Sequence, residues 1–357
     1  MQIICDGKTI EKGMNIEAKI AHLEQSKELF TLFRFPNDEV VYLALGAFDD
    51  NANQGDSFII HPFITGKKRT LFIGKKYLGD IESFDEGMVD ACEPLPRKKT
   101  KPPKVPAQSY MESCAKAIEE IKKGTLNKVV LHIEKYMETK RSESEIFLSG
   151  VKHYKDAFMH WTRIPGQNSW IGASPELLLS RDKDEYKSMS LAGTRNRESD
   201  IWTDKEYVEQ ELVTTFILEA LSRVGIQEVS ASEIHNKQAG HLEHLCTDLS
   251  FEFKGSEYDV LRALHPTPAV CGSPRKEALE LLHSLQMEDR DYYSGYLGVR
   301  KHDYSKYFVN LRCMEVNASQ VKIYTGGGVT KDSIPEHEFE ELNNKSQVMG
   351  RLTEFFD

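Results

Sequence analysis

Three glutamates and two lysines stand where the hydrophobic pattern of this chain would place apolar side chains. In TDKEYVEQELVTTFILEAL, the residues Leu212, Val213, Phe216, Ile217 and Ala220 recur at helical spacing and define a buried stripe. Glu209 continues that stripe three and four positions ahead of Leu212 and Val213. A carboxylate there is costly unless a positive group meets it or that end of the stripe is partly exposed. Near the C-terminus, Glu338, Glu341, Lys345, Val348 and Leu352 run down one face of a second helix. Glu341 and Lys345 can be a surface i,i+4 pair, but two helices that both present acids at the head of a buried face share a better explanation. Close carboxylates repel unless a cation separates them, and magnesium commonly takes one or two carboxylates, with water and substrate oxygens completing its octahedron.

Other candidates carry weaker chemistry. Lys128 shares a strand face with Val130 and His132, either as a buried functional amine or as an edge residue with its head in solvent. Gly326, Gly327 and Gly328 follow an apolar strand in YTGGGVTKDS, where backbone N–H groups can approach an anion, although such runs are commonly turns. His241 and His244 would share a helix face, but HLEH lacks the spacing of a zinc protease and offers no evident third ligand. The six cysteines, Cys5, Cys92, Cys114, Cys246, Cys271 and Cys313, show neither paired zinc spacings nor the density of a disulfide scaffold. They are expected as reduced thiols.

The elements that must position these groups are legible from period and punctuation. Thr203 with Glu206, and Ser333 with Glu336, have the capping-box pattern at the heads of the two acid-bearing helices. SYMESCAKAIEEIKKGTLNKVVLHIEKY predicts a helix up to Ile121, a stop at Gly124 and a β-branched strand from about Leu126 to Ile133. Further strands are expected in NSWIGAS, YKSMSLAGT, YFVNLRCMEV and QVKIYTGGG, with a helix after Ser273. Apolar runs such as TLFRFP and VVYLALGAF predict a strand-rich N-terminal lobe over 1–105. The proline-rich basic stretch from Pro96 to Pro106 reads as a surface connector to a region spanning 106–357. No internal repeat is visible, and an α/β or α+β architecture built on large sheets follows.

Taken together, these segments resemble the chorismate-utilising enzymes, which include isochorismate, salicylate, anthranilate and aminodeoxychorismate synthases. The resemblance rests on NKVVL, GASPELLL, LAGTR, KEYVEQELV, HLCT, LHPTPAVCGSPR, DRDYYSGYLG, NLRC and YTGGGVTKDSIPEHEFEELNNK, in that order over 106–357. It implies an α+β fold of two large, mainly antiparallel sheets packed face to face, helices outside, with the N-terminal lobe integrated into the same unit. It also implies a water-activating base at Lys128 and a general acid at Glu176. Magnesium would be held by Glu209 and Glu341, with Glu338 beside them. Gly193, Thr194, Tyr293, Arg312, Lys345 and the Gly326, Gly327, Gly328 run match groups that hold the substrate's carboxylates, and His244 matches a histidine near the ring. The base requires a neutral lysine, and the acid a protonated carboxyl.

Within that family, members that add ammonia typically carry glutamine where this chain has Lys128, so water is the expected nucleophile and no glutamine amidotransferase subunit is expected. LHPTPAVCGSPR resembles the isochorismate type. The expectation is therefore an isochorismate synthase feeding menaquinone or siderophore synthesis, with salicylate synthase as the rival and a catalytically silent chorismate-binding homologue as the non-enzymatic alternative. A monomer is expected, and composition predicts a folded core: 357 residues, 39% hydrophobic, with a formal charge of −10 that disfavours nucleic acid and anionic membranes. No run approaches a signal peptide or the ~20 apolar residues of a membrane span, so a cytoplasmic location is expected.

Overall fold

The computed structural model of the chain describes residues 15–47, 55–64, 68–90, 107–196, 201–239, 242–285, 287, 289–317 and 319–354. Cys5, Cys92, His241 and the Pro96 to Pro106 connector lie outside them. The helices are α1 (Ile16–Glu24), α2 (Ala107–Lys122), α3 (Glu143–His153), α4 (Asp204–Arg223), α5 (Glu257–Leu264), α6 (Arg275–Ser284) and α7 (Pro335–Gly350). The first strands are β1 (Phe30–Arg34), β2 (Tyr42–Ala47), β3 (Ser57–His61), β4 (Leu71–Asp80), β5 (Lys128–Glu138), β6 (Phe158–Arg163), β7 (Ser169–Ser174), β8 (Leu177–Asp182) and β9 (Glu185–Asn196). They are followed by β10 (Ser230–Ala231), β11 (His235–Ala239), β12 (Leu242–Glu252), β13 (Gly272–Ser273), β14 (Tyr296–Lys301), β15 (Tyr304–Val309), β16 (Cys313–Asn317) and β17 (Gln320–Val329). No helix among the described residues is long and apolar enough to cross a membrane.

Every strand pairing is antiparallel, and the pairings form one ribbon. It runs β11, β12, β9, β8, β15, β14, β3, β4, β2, β1, β6, β7, β16, β17, β5, β13, with β10 also on β12. The α+β class expected from the sequence therefore stands, but the two separate sheets do not: hydrogen bonding joins all strands into one sheet. The reason is the N-terminal segment, whose strands β1 to β4 bridge β6 to β14.

The ribbon folds over on itself. Phe158 of β6 stacks on Phe308 of β15 with centroids 4.3 Å apart and planes 5° from parallel, although several strands separate them along the ribbon. Between the halves lies an aromatic core containing Phe33, Phe58, Trp170, Tyr293, Leu297 and Tyr324. The outer faces are covered by helices: α1 and α3 over one half, α4 and α5 over the other, and α2, α6 and α7 around β5. Burying apolar area at about 25 cal/mol per Å² on both faces is what makes so long a ribbon stable.

Helix α2 ends at Lys122, one residue past the expected Ile121, and Gly124 follows as the expected stop with φ of +84°. The strand expected in YFVNLRCMEV is divided into β15 and β16 by Asn310 to Arg312, and two further local expectations are corrected. Helix α7 begins at Pro335 after Ile334, so Ser333 is not its cap; the Ser333 hydroxyl accepts from Thr330 N (3.0 Å) and donates to Glu338 (2.6 Å). Proline at the first helical position needs no N–H partner, which shifts the start by one residue. Secondly, Gly326, Gly327 and Gly328 do not follow the strand but lie inside β17, opposite His132, Leu131 and Val130 of β5.

Candidate active site

A cleft at one end of the folded ribbon is lined by Lys128 and Val130 of β5, Leu191 to Gly193 of β9, His244 of β12, and Thr325 to Gly328 of β17. Glu176, Tyr293 and Arg312 enter from the short connections before β8, β14 and β16, while Glu209 and Lys345 come from α4 and α7. A second chamber opens beside it, sharing Lys128, Gly193, Glu209, Gly328 and Lys345 and adding Glu338 and Glu341.

Backbone geometry opens this space. Arg312 adopts φ of +47°, which turns the chain away from β17 just before β16 begins. The β16 pairing stops at Cys313 opposite Tyr324, so beyond Tyr324 strand β17 has only β5 as a neighbour among the described strands. Its other edge carries backbone groups toward the cleft. The glycines then make room for side chains: a Cβ at Gly326 would come within 2.5 Å of the Tyr293 hydroxyl, and one at Gly328 would overlap Cε of Lys128.

Glu176 is 2% exposed at the corner between β7 and β8. Its backbone N–H donates to Ser174 Oγ (3.3 Å), and its carbonyl accepts from Val309 N (3.0 Å), which locks the corner. Burial pushes its carboxyl up to about 8 against the opposing charges of Lys128 and Lys237, so it is protonated at neutral pH. Lys128, 5% exposed, is ion-paired with Glu209. Lys345 pairs with Glu341 at 2.6 Å.

His244 is fixed in one tautomer. Its Nδ1–H donates to the Gly193 carbonyl (2.8 Å), which leaves Nε2 to accept from Arg312 Nη2 (2.9 Å). Burial, and then Arg312, lower its pKa to about 3, so it stays neutral and steadies the guanidinium. Tyr293 stacks on Tyr324 (5.3 Å), which stacks on Trp170 (5.2 Å), forming a rigid aromatic floor. The site thus offers a protonated acid, a lysine, an arginine that lines the cleft, and carboxylates from two helices. That set can bind a dianionic small molecule and move protons on it. The carboxylates are oxygen donors that suit a hard divalent ion such as magnesium, which would have to displace the ammonium partners of Glu209 and Glu341.

The chain matches the family model described as "Chorismate binding enzyme" over residues 52–354. The chain belongs to the chorismate-binding enzyme family. Among curated proteins it is similar to the isochorismate synthase MenF of Pasteurella multocida, 30% identical over 260 residues that make up 66% of this chain and 59% of that protein. It is also similar to the vibriobactin-specific isochorismate synthase of Vibrio cholerae, 31% identical over 51% of this chain and 50% of the relative. The chain thus spans half to three fifths of the length of these relatives. Among solved structures, the putative 2,3-dihydroxybenzoate-specific isochorismate synthase DhbC of Bacillus anthracis aligns with a TM-score of 0.77 and 26% identity, covering 95% of this chain and 99% of that one.

In this chorismate-binding enzyme the fold brings Lys128, Glu176, Gly193, Glu209, His244, Tyr293, Arg312, Gly326, Gly327, Gly328 and Lys345 to one cleft, with Glu338 and Glu341 in the adjoining chamber. Thr194 lies in β9 next to Gly193. Two residues escaped the sequence reading. Gln210, wholly buried, donates from Nε2 to Ser190 Oγ (2.7 Å), Ser190 O (3.1 Å) and Thr247 Oγ1 (3.1 Å), pinning α4 to the sheet so that Glu209 faces the cleft. Its place three before Val213 and seven before Ile217 was the available signal. Arg290, also buried, donates to the carbonyls of Val270 (2.8 Å) and Val130, tying the wall beside Lys128 together; nothing in its spacing marks that role.

Proposed function

We propose that this chain is an isochorismate synthase: it converts chorismate reversibly to isochorismate by adding water at ring C2 with loss of the C4 hydroxyl, and it requires magnesium. The single observation that carries the reading is the pairing in one cleft of a lysine with a buried carboxyl that remains protonated at neutral pH. Hydroxide is a poor leaving group, so the departing oxygen must receive a proton, while the incoming water must lose one. Glu176 has the proton to give. Lys128 is the base: its ammonium, paired with Glu209, must first give up a proton, and only the neutral amine can then take one from water. Arg312, oriented by His244, and Lys345 hold the substrate carboxylates against the aromatic floor.

Glu209 and Glu341, with Glu338 beside them, would hold the magnesium ion, which would supply positive charge for the ring carboxylate, and Lys128 would have to give up Glu209 to it. The test is to incubate the purified protein with chorismate and magnesium and separate the products by chromatography. Isochorismate as the product supports the proposal. Salicylate with pyruvate would reassign the chain to the lyase branch, and recovery of unchanged chorismate would make it a silent binder.

A further inference from the structure

A second cluster of ligand-type side chains lies on the sheet formed by β11 and β12. His235 is directly opposite Cys246 in their antiparallel register, so both side chains leave the same face, and Asp248 follows on that face two residues along β12. His235 Nε2 is 3.5 Å from Asp248 Oδ2, and Cys246 Sγ is 4.0 Å from Asp248 Oδ1. One ligand atom from each residue lies within 4.8 Å of the other two. A tetrahedral ion with bonds of about 2.0 Å to nitrogen and oxygen and about 2.3 Å to sulfur sets its ligands roughly 3.3 to 3.7 Å apart, so closure asks for shifts of about 1 Å or less.

The imidazole is already set as a ligand. His235 Nδ1 faces the Glu233 carbonyl at 3.3 Å, and because a carbonyl only accepts, the ring proton sits there and the Nε2 lone pair points at the Asp248 carboxylate. That contact is satisfied by a proton on the ring or by a cation between the two groups. The backbone around Asp248 is held as well, its N–H donating to Ser232 Oγ (3.0 Å) and its carbonyl accepting from Ser232 N (2.9 Å). Cys246 is buried, whereas His235 and Asp248 are exposed, so the cluster has a closed floor and an open mouth through which an ion and a completing water can enter.

We propose that His235, Cys246 and Asp248 form a binding site for one divalent transition ion of the zinc class, built from none of the acids of the catalytic chamber. Mixed nitrogen, sulfur and oxygen donors select zinc or cobalt over magnesium, which prefers oxygen alone. The sequence concealed the site because its imidazole comes from the neighbouring strand.

The probe is Co²⁺, titrated into the full-length protein in excess magnesium. Thiolate ligation should produce a sulfur-to-cobalt charge-transfer absorption that saturates at one equivalent and is abolished by Zn²⁺. Cys246→Ser should lose the absorption. His235→Ala, on an exposed edge strand where folding is not at stake, should weaken Co²⁺ binding at least tenfold. Glu341→Gln, which removes a ligand of the proposed magnesium site, should leave the absorption unchanged, so this site and the catalytic reading can fail separately. No absorption in the wild-type protein, or equal Co²⁺ affinity in His235→Ala, would overturn the proposal.

Discussion

A carboxylic acid serves as a proton donor only if its surroundings keep the proton on it. Glu176 meets that condition because burial outweighs the two lysines that oppose it, holding the group at about 8. Since Glu176 is protonated below that value and ionised above it, kcat/KM should fall as pH rises through about 8; activity that stays level to pH 9 would remove Glu176 from the role. Glu176→Gln and Lys128→Ala should each lower turnover by about 10²–10⁴, with KM little changed, because the carboxylate contacts come from other elements. Near wild-type turnover in Lys128→Ala would refute the base assignment. Glu341→Gln should abolish the magnesium response, since an amide neither binds a hard cation well nor offsets its charge; calorimetric titration with Mg²⁺ reads this directly, and unaltered affinity would displace the metal site.

Among the elements, β17 does the most for the site. It alternates polar and apolar residues and is paired on both sides up to Tyr324, then after Thr325 becomes a run of three glycines paired on one side, so a strand supplies the open edge that a loop was expected to provide. Gly328→Ala puts a methyl group where Cε of Lys128 lies. Because that neighbour is the far end of a flexible side chain, the strand should survive with a loss of no more than about 1 kcal/mol while the amine is displaced. The expected result is a Tm within a few degrees of wild type and turnover reduced at least tenfold; a variant of full activity would show that the amine has room to move without consequence. Helix α4 works differently: Gln210 fixes its rotation, and the misplaced charge of Glu209 becomes intelligible only once that buried amide is seen.

For the whole molecule, folding one long ribbon over an aromatic core buries imidazoles that no carboxylate keeps charged. His61 and His160 are lowered to about 4, His244 and His265 to about 3, and His132 well below its usual value, in each case chiefly by burial. Above the ordinary value of 6.5 neither state binds these protons. As pH falls from 6.5 toward 4 the unfolded chain takes them up and the folded one does not, so each group removes about 1.4 kcal/mol of stability per pH unit. Glu176 and Asp291, both raised by burial, act oppositely and favour the folded state as pH falls toward their ordinary values, but they are two carboxyls against five imidazoles. Thermal unfolding followed by circular dichroism should show Tm dropping steeply between pH 6.5 and 5; a flat or rising profile would contradict these burials.

By itself the sequence determined the family, the α+β class, the helices that carry Glu209 and Glu341, and the charged and glycine residues of the cleft but not its apolar lining, because periodicity and ordered motifs are local properties that survive without contacts. Tertiary structure decided the rest. Whether the strands make one sheet or two depends on which edges the N-terminal strands meet, and no local pattern encodes an edge. The protonated state of Glu176, the tautomer of His244 and the meeting of His235 with Cys246 and Asp248 depend on desolvation and on partners from other strands. Those forces act through space, across separations that the order of residues along a chain does not record.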